Sequence, residues 1–131
     1  MGFLGFWKTS KPQQKQVKKP KVSFWSLTTD NMEILDPTWE QVIDAIDHAT
    51  PEASTFASLR YLYSTCEIEI VQVVSEGQVY RVEALPPISS VDDGTIFVHT
   101  NCSYKETLEL FKDFYEYQRV VDFRSWSTER W

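Results

Sequence analysis

His99 and Cys102 stand three residues apart, a close histidine–cysteine pairing in a chain of 131 residues. As metal ligands they would need partners, because zinc sites take three or four ligands in paired spacings. The other histidine and cysteine, His48 and Cys66, fall on a predicted helix end and a predicted strand start. As a catalytic pair, Cys66 or Cys102 with His99 lacks any surrounding thiol-enzyme signature, and a free cysteine usually packs as a small buried apolar group. Glu67 with Glu69, or Asp92 with Asp93, has the proximity that acid–base chemistry uses. Carboxylates are common in this chain, however, and Asp92-Asp93-Gly94 is turn chemistry first. The four glycines, at 2, 5, 77 and 94, form no phosphate-cradling loop. These residues point to no catalytic group, no metal ligand and no cofactor.

Charge is the stronger signal. The net value of −6 hides a division. Lys8, Lys11, Lys15, Lys18, Lys19 and Lys21 put six positive charges into the first 21 residues with no acid among them. The remainder holds seven basic residues against all nineteen acids. Residues 8–21 are lysine, glutamine and proline with one aliphatic residue, Val17, which predicts a disordered basic tail over 1–21 and a single domain over 22–131. The apolar start, Met1 to Trp7, is too short for a signal sequence and runs into lysines, so the expected compartment is the cytoplasm with reduced thiols. No apolar run approaches the ~18–20 residues of a membrane span.

The elements follow from periodicity and punctuation. VSFWSL (22–27) reads as a strand. Residues 37–49 read as a helix, with Asp36 or Thr38 as cap, Thr38 and Gln41 at capping-box spacing, and Trp39, Val42, Ile43, Ile46 and Ala49 on one face. Strands are expected at 55–63, 67–74 and 78–85, the middle one carrying Glu67 and Glu69 on one face, and Pro86-Pro87 ends the run. Residues 94–100 form a further strand. Ser103 with Glu106 opens a second helix whose apolar side holds Tyr104, Leu108, Phe111 and Tyr115, widened by Leu110, Phe114 and Tyr117, with Lys105–Glu109 and Lys112–Glu116 on the wet side. Residues 119–126 read as a closing strand. The order β-α-β-β-β-β-α-β predicts an α+β fold: an antiparallel sheet of about five or six strands with two helices on one face.

Within that fold Glu67, Glu69, Glu76, Glu83, Asp92 and Asp93 form the expected partner-binding surface, since an excess of one sign steers an oppositely charged protein. Lys15, Lys18, Lys19 and Lys21 are the expected tail contacts. They suit an anionic membrane or nucleic acid, with Phe3, Leu4, Phe6 and Trp7 as apolar anchors.

CSYKETLELFKDFYEYQRVVDFRSW (102–126), with Phe111, Phe114 and Trp126 as its marks, resembles the C-terminal signature of immunity protein family 1 of bacterial polymorphic toxin systems. DPTWEQVIDAIDHA (36–49) resembles the helix that opens such proteins, and the meander between is similar in order. The resemblance covers about 36–126. It implies a small α+β protein that binds a cognate toxin domain, often a nuclease or nucleic-acid deaminase, and blocks it in the cytoplasm without catalysis. The alternative expectation is a non-catalytic peripheral adaptor whose tail holds an anionic membrane or nucleic acid.

Overall fold

Two local signals decide where the helices begin. In the computed structural model, which describes residues 24–50, 52, 55–62 and 67–131, helix α1 spans Trp39–Asp47 and helix α2 spans Tyr104–Tyr117. At α1 the Thr38 hydroxyl accepts the Gln41 N–H at 3.2 Å, and the Gln41 side chain accepts the Thr38 N–H at 2.9 Å. Ser103 and Glu106 repeat the exchange at α2, at 3.1 and 2.9 Å. Each exchange satisfies two backbone donors at a helix start. Helix α2 stops at Gln118, whose φ of 53° is a left-handed value that glycine more often supplies.

The strands are β1 (Trp25–Thr29), β2 (Glu33–Leu35), β3 (Phe56–Tyr61), β4 (Ile70–Glu76), β5 (Val79–Leu85), β6 (Thr95–Cys102) and β7 (Ser127–Arg130). They form one antiparallel seven-stranded sheet in the order β2-β1-β3-β4-β5-β6-β7. Glu76 pairs with Val79, so the β4–β5 hairpin turns on Gly77-Gln78, with Gly77 at φ 88°. A positive φ at the first turn residue is what a type II′ hairpin demands.

Both helices lie on one face of the sheet. Val42, Ala45 and Ile46 of α1, Ala49 just after it, and Phe111 and Phe114 of α2 bury against Leu27, Leu59, Val71, Val73, Val82, Ala84 and Phe97. Each large aliphatic or aromatic side chain removed from water in this way contributes roughly 1.5–3 kcal/mol. The helices run antiparallel and are tied at both ends. The Tyr115 hydroxyl donates to the Pro37 carbonyl at 2.7 Å, and the Tyr104 hydroxyl donates to Asp47 at 2.6 Å. The hydrogen bond to Asp47 pushes the Tyr104 phenol up to about 12. No helix among the described residues is long and apolar enough to cross a membrane.

The α+β class and the two helices on one face match the sequence reading, but three local expectations need correction. The sheet has seven strands rather than the expected five or six, because β2 carries no sequence signal; three residues suffice there since the partner β1 supplies the register, Thr28 opposite Glu33. The expected strand over 119–126 is instead a turn-rich segment with a 3-10 turn at Phe123–Ser125, and the closing strand is β7. Asp122 at φ 57° reverses the chain, while Val120 and Phe123, three apart rather than alternating, both bury. Strand β4 begins at Ile70, so Glu67 and Glu69 precede it, around an Ile68 that is 2% exposed. Lys15, Lys18, Lys19 and Lys21, together with Cys66, lie outside the described residues.

Candidate functional site

The six carboxylates expected to form one binding surface are dispersed, and four of them are held by arginines. Glu67 and Asp92 share Arg124, whose Nη2 lies 2.9 Å from each. Glu69 accepts from Arg60 Nε at 2.6 Å. Glu83 sits on the sheet face opposite the helices, 8% exposed, and accepts from Arg81 Nε at 2.7 Å and from the Gln72 amide at 2.5 Å. Arg81 also donates to Glu129 at 2.7 Å. Its guanidinium is held above the ordinary value chiefly by the Glu83 bond. Asp93 accepts the Ser89 N–H at 3.2 Å inside its own loop, and Glu76 ends strand β4 at the hairpin. Only Glu67 and Asp92 come together, and they do so around a positive charge.

A second concentration of carboxylates lies on the helical layer. Glu40, Asp44 and Asp47 belong to α1, and Glu106, Glu109, Asp113 and Glu116 belong to α2, where Lys105 and Lys112 are the only basic residues. Lys112 reaches Glu116 at 3.7 Å and sits 5.2 Å over the Trp39 ring, whereas Lys105 and Glu109 do not form the expected pair. Glu106, Glu109 and Asp113 recur at intervals of three and four, which sets them along one side of α2.

That side of α2 borders a groove. Its narrower part, about 240 Å³, is lined by His99, Glu106, Glu109, Leu110, Asp113 and Val121. The wider part, about 520 Å³, continues past His99, Leu110 and Val121 to Asp122, Trp126 and Ser127. The His99 ring packs on the Trp126 ring with centroids 5.1 Å apart. Three elements position these groups: β6 supplies His99, α2 supplies Leu110 and the carboxylates, and the turn before β7 supplies Asp122 and Trp126. Burial of Phe123 against Phe97, centroids 4.8 Å apart, fixes that turn. Glu106 performs two tasks here. Its carboxylate is held below the usual range chiefly by the Ser103 N–H it accepts, with a smaller contribution from His99 across the groove.

Aliphatic floor, aromatic wall and carboxylate rim together suit the stem and head of a lysine or arginine, whose methylenes would rest on Leu110 and Val121 and whose cation would meet Trp126 and the carboxylates. The groove holds no nucleophile–base pair among the described residues. The Cys102 thiol donates to the His99 carbonyl at 3.5 Å rather than to its ring, and the Ser125 hydroxyl donates to the Asp122 carbonyl at 2.7 Å. Cys102 is fully buried, and burial pushes its thiol up to about 11. Native protein at about pH 8 is therefore expected to leave Cys102 unalkylated by iodoacetamide, because the thiolate is the nucleophile and a buried thiol stays protonated. Mass spectrometry of the Cys102 peptide checks this; full labelling without denaturant would show that the site is neither buried nor raised. Among the described residues no three His, Cys, Asp or Glu side chains converge as metal ligands would.

The groove residues were legible only in part. Glu106 reads as the partner of the Ser103 cap and Glu109 as a partner of Lys105, and the 106-109-113 spacing is the available signal for an acidic stripe. Nothing local announced that β6 and the turn at 122–126 would complete it. Comparison of the chain with family models, with curated proteins and with solved structures returned no match.

Proposed function

We propose that the protein is an immunity protein that binds a basic toxin domain, such as a nuclease or nucleic-acid deaminase, and covers its active surface without performing a reaction itself. The single observation that carries this reading is the carboxylate rim of the aromatic groove. Glu67, Glu69, Glu83 and Asp92 are closed by arginines and Asp113 meets Arg119 at 3.5 Å, while Glu106 and Glu109 of α2 line the groove and Glu109 has no ion-pair partner among the described residues. A protein that acts on nucleic acid needs a positive working surface, and an acidic helical face complements it. Complementary charge steers the encounter and rejects wrong partners. The resemblance of residues 102–126 to immunity protein family 1 supports the same conclusion, and such a protein would act in the cytoplasm, where its toxin threatens the producing cell.

The test is co-expression with the product of the adjacent gene, followed by affinity measurement across salt concentrations. The paired substitution Glu109→Lys with Asp113→Lys is expected to weaken the complex at least tenfold, about 1.4 kcal/mol, mainly through slower association. Binding of the unaltered protein should fall steeply with added salt. A complex indifferent to both changes would sink the proposal.

A further inference from the structure

The lysine-rich leader has no role in the reading above, although its charge complements the acidic rim of the groove. We propose that the leader is the resident occupant of this groove, lying back on it in cis with Lys8, Lys11 and Lys15 at the acidic rim. The regulatory consequence, that a toxin must displace the leader, rests on the immunity reading; the contact itself does not.

Three observations support the contact. The first is charge: the leader holds six lysines and no acid, while the rest of the chain carries a surplus of twelve acids. At the groove Glu109 and Asp122 have no ion-pair partner among the described residues. The second is reach. The described chain begins at Phe24, whose N–H and that of Trp25 both bond the Asp36 carboxylate, at 3.2 and 3.3 Å. Trp25 packs on Phe114 and Tyr115 near the C-terminal end of α2, and Leu110 and Asp113 of the groove lie on that same helix. Strand β1 is four strand spacings from β6 in the sheet order, a span of about 20 Å. At roughly 3.4 Å per residue plus about 6 Å of side chain, Lys15 commands about 36 Å from Phe24 and Lys8 and Lys11 command more, whereas Lys19 commands about 23 Å, little beyond the span, and Lys21 about 16 Å, short of it. A tether longer than the gap gives a local concentration near the millimolar range. The third is fit. Pro12 and Pro20 favour extended chain, the form in which successive lysine stems can lie along an aliphatic floor while their ammonium groups meet carboxylates.

Reach separates this contact from general attraction. Two lysine pairs carry equal charge, but only Lys8 and Lys11 have chain to spare for lying along the groove. Full-length protein labelled with ¹⁵N, without any partner, supplies the readout. At about 20 mM salt, the variant Lys8→Gln with Lys11→Gln is expected to shift the Trp126 indole and the Leu110 and Val121 amides, and Lys19→Gln with Lys21→Gln is expected to leave them in place. Raising salt to about 0.5 M should bring the unaltered protein to the positions of the first variant, because screening shortens to a few ångström. Equal shifts from both variants, or none from either, overturn the proposal. So do shifts that grow with protein concentration, which would place a second copy in the groove. Binding to phosphatidylglycerol–phosphatidylcholine vesicles with the groove resonances unmoved by either variant would assign the leader to a membrane instead. Because no toxin enters the experiment, its failure leaves the immunity reading untouched.

Discussion

Replacing Phe111 with alanine is expected to cost about 4 kcal/mol, the largest single loss in the molecule. Phe111 and Phe114 are the largest fully buried side chains, both at 0% exposure. They form the seat of α2 on the strands β4, β5 and β6. Removing the ring forfeits its transfer free energy and leaves a cavity that two capped helices and a seven-stranded sheet cannot close, since packed interiors relax only in part. For a domain whose whole stability is about 5–15 kcal/mol, such a loss approaches the margin for folding. Urea denaturation should show a midpoint lowered by about 2 M with an unchanged slope. Tyr117, on the same helix but 61% exposed, is the comparison: Tyr117→Ala should fall within about 0.5 kcal/mol. A Phe111→Ala loss no larger than that of Tyr117→Ala would mean that α2 is not seated as described.

Glu83→Ala is expected to destabilise by about 2–3 kcal/mol, although the carboxylate lies on the face of the sheet that no described helix covers. Glu83 is only 8% exposed, and its two oxygens take the Gln72 amide and the Arg81 guanidinium. Alanine leaves both donors short of a partner in a sheltered position, where water replaces them poorly. Arg81 keeps Glu129, which limits the loss. Glu83→Gln retains the shape and one acceptor, so its cost should be about half. In a double-mutant cycle, Glu83→Ala with Arg81→Ala should return a coupling of at least about 1 kcal/mol. The measurement also separates two roles for this residue. If Glu83→Ala left stability intact but weakened toxin binding, Glu83 would belong to the partner surface after all.

These two residues illustrate which parts of the protein are local in origin. The start of each helix is decided within four residues, because a hydroxyl and a carboxamide or carboxylate exchange hydrogen bonds with backbone groups three positions away. The seat at Phe111 and Phe114 follows from a helical period that one segment displays by itself. The end of β5 before Pro86 and the short connection between β4 and β5 are likewise short-range, since the missing proline donor and turn geometry act on neighbours, although the turn falls on Gly77-Gln78 rather than on the expected 75–77. All of this was legible in the amino-acid order, and with it the α+β class.

The partners of the carboxylates were not. Arg124 reaches Glu67 and Asp92 across 57 and 32 residues of chain, and Arg81 reaches Glu129 across 48. No periodicity encodes such pairings. They arise when the sheet order β4-β5-β6-β7 and the reversal at Asp122 bring distant side chains together. The tertiary structure alone therefore decided which acids are neutralised and which stay presented, and it assembled the groove from β6, α2 and the turn before β7. Charge surplus is a property of composition, because it is a count. Its display is a property of the fold, because a Coulomb interaction depends on distance, and only the folded chain sets the distances.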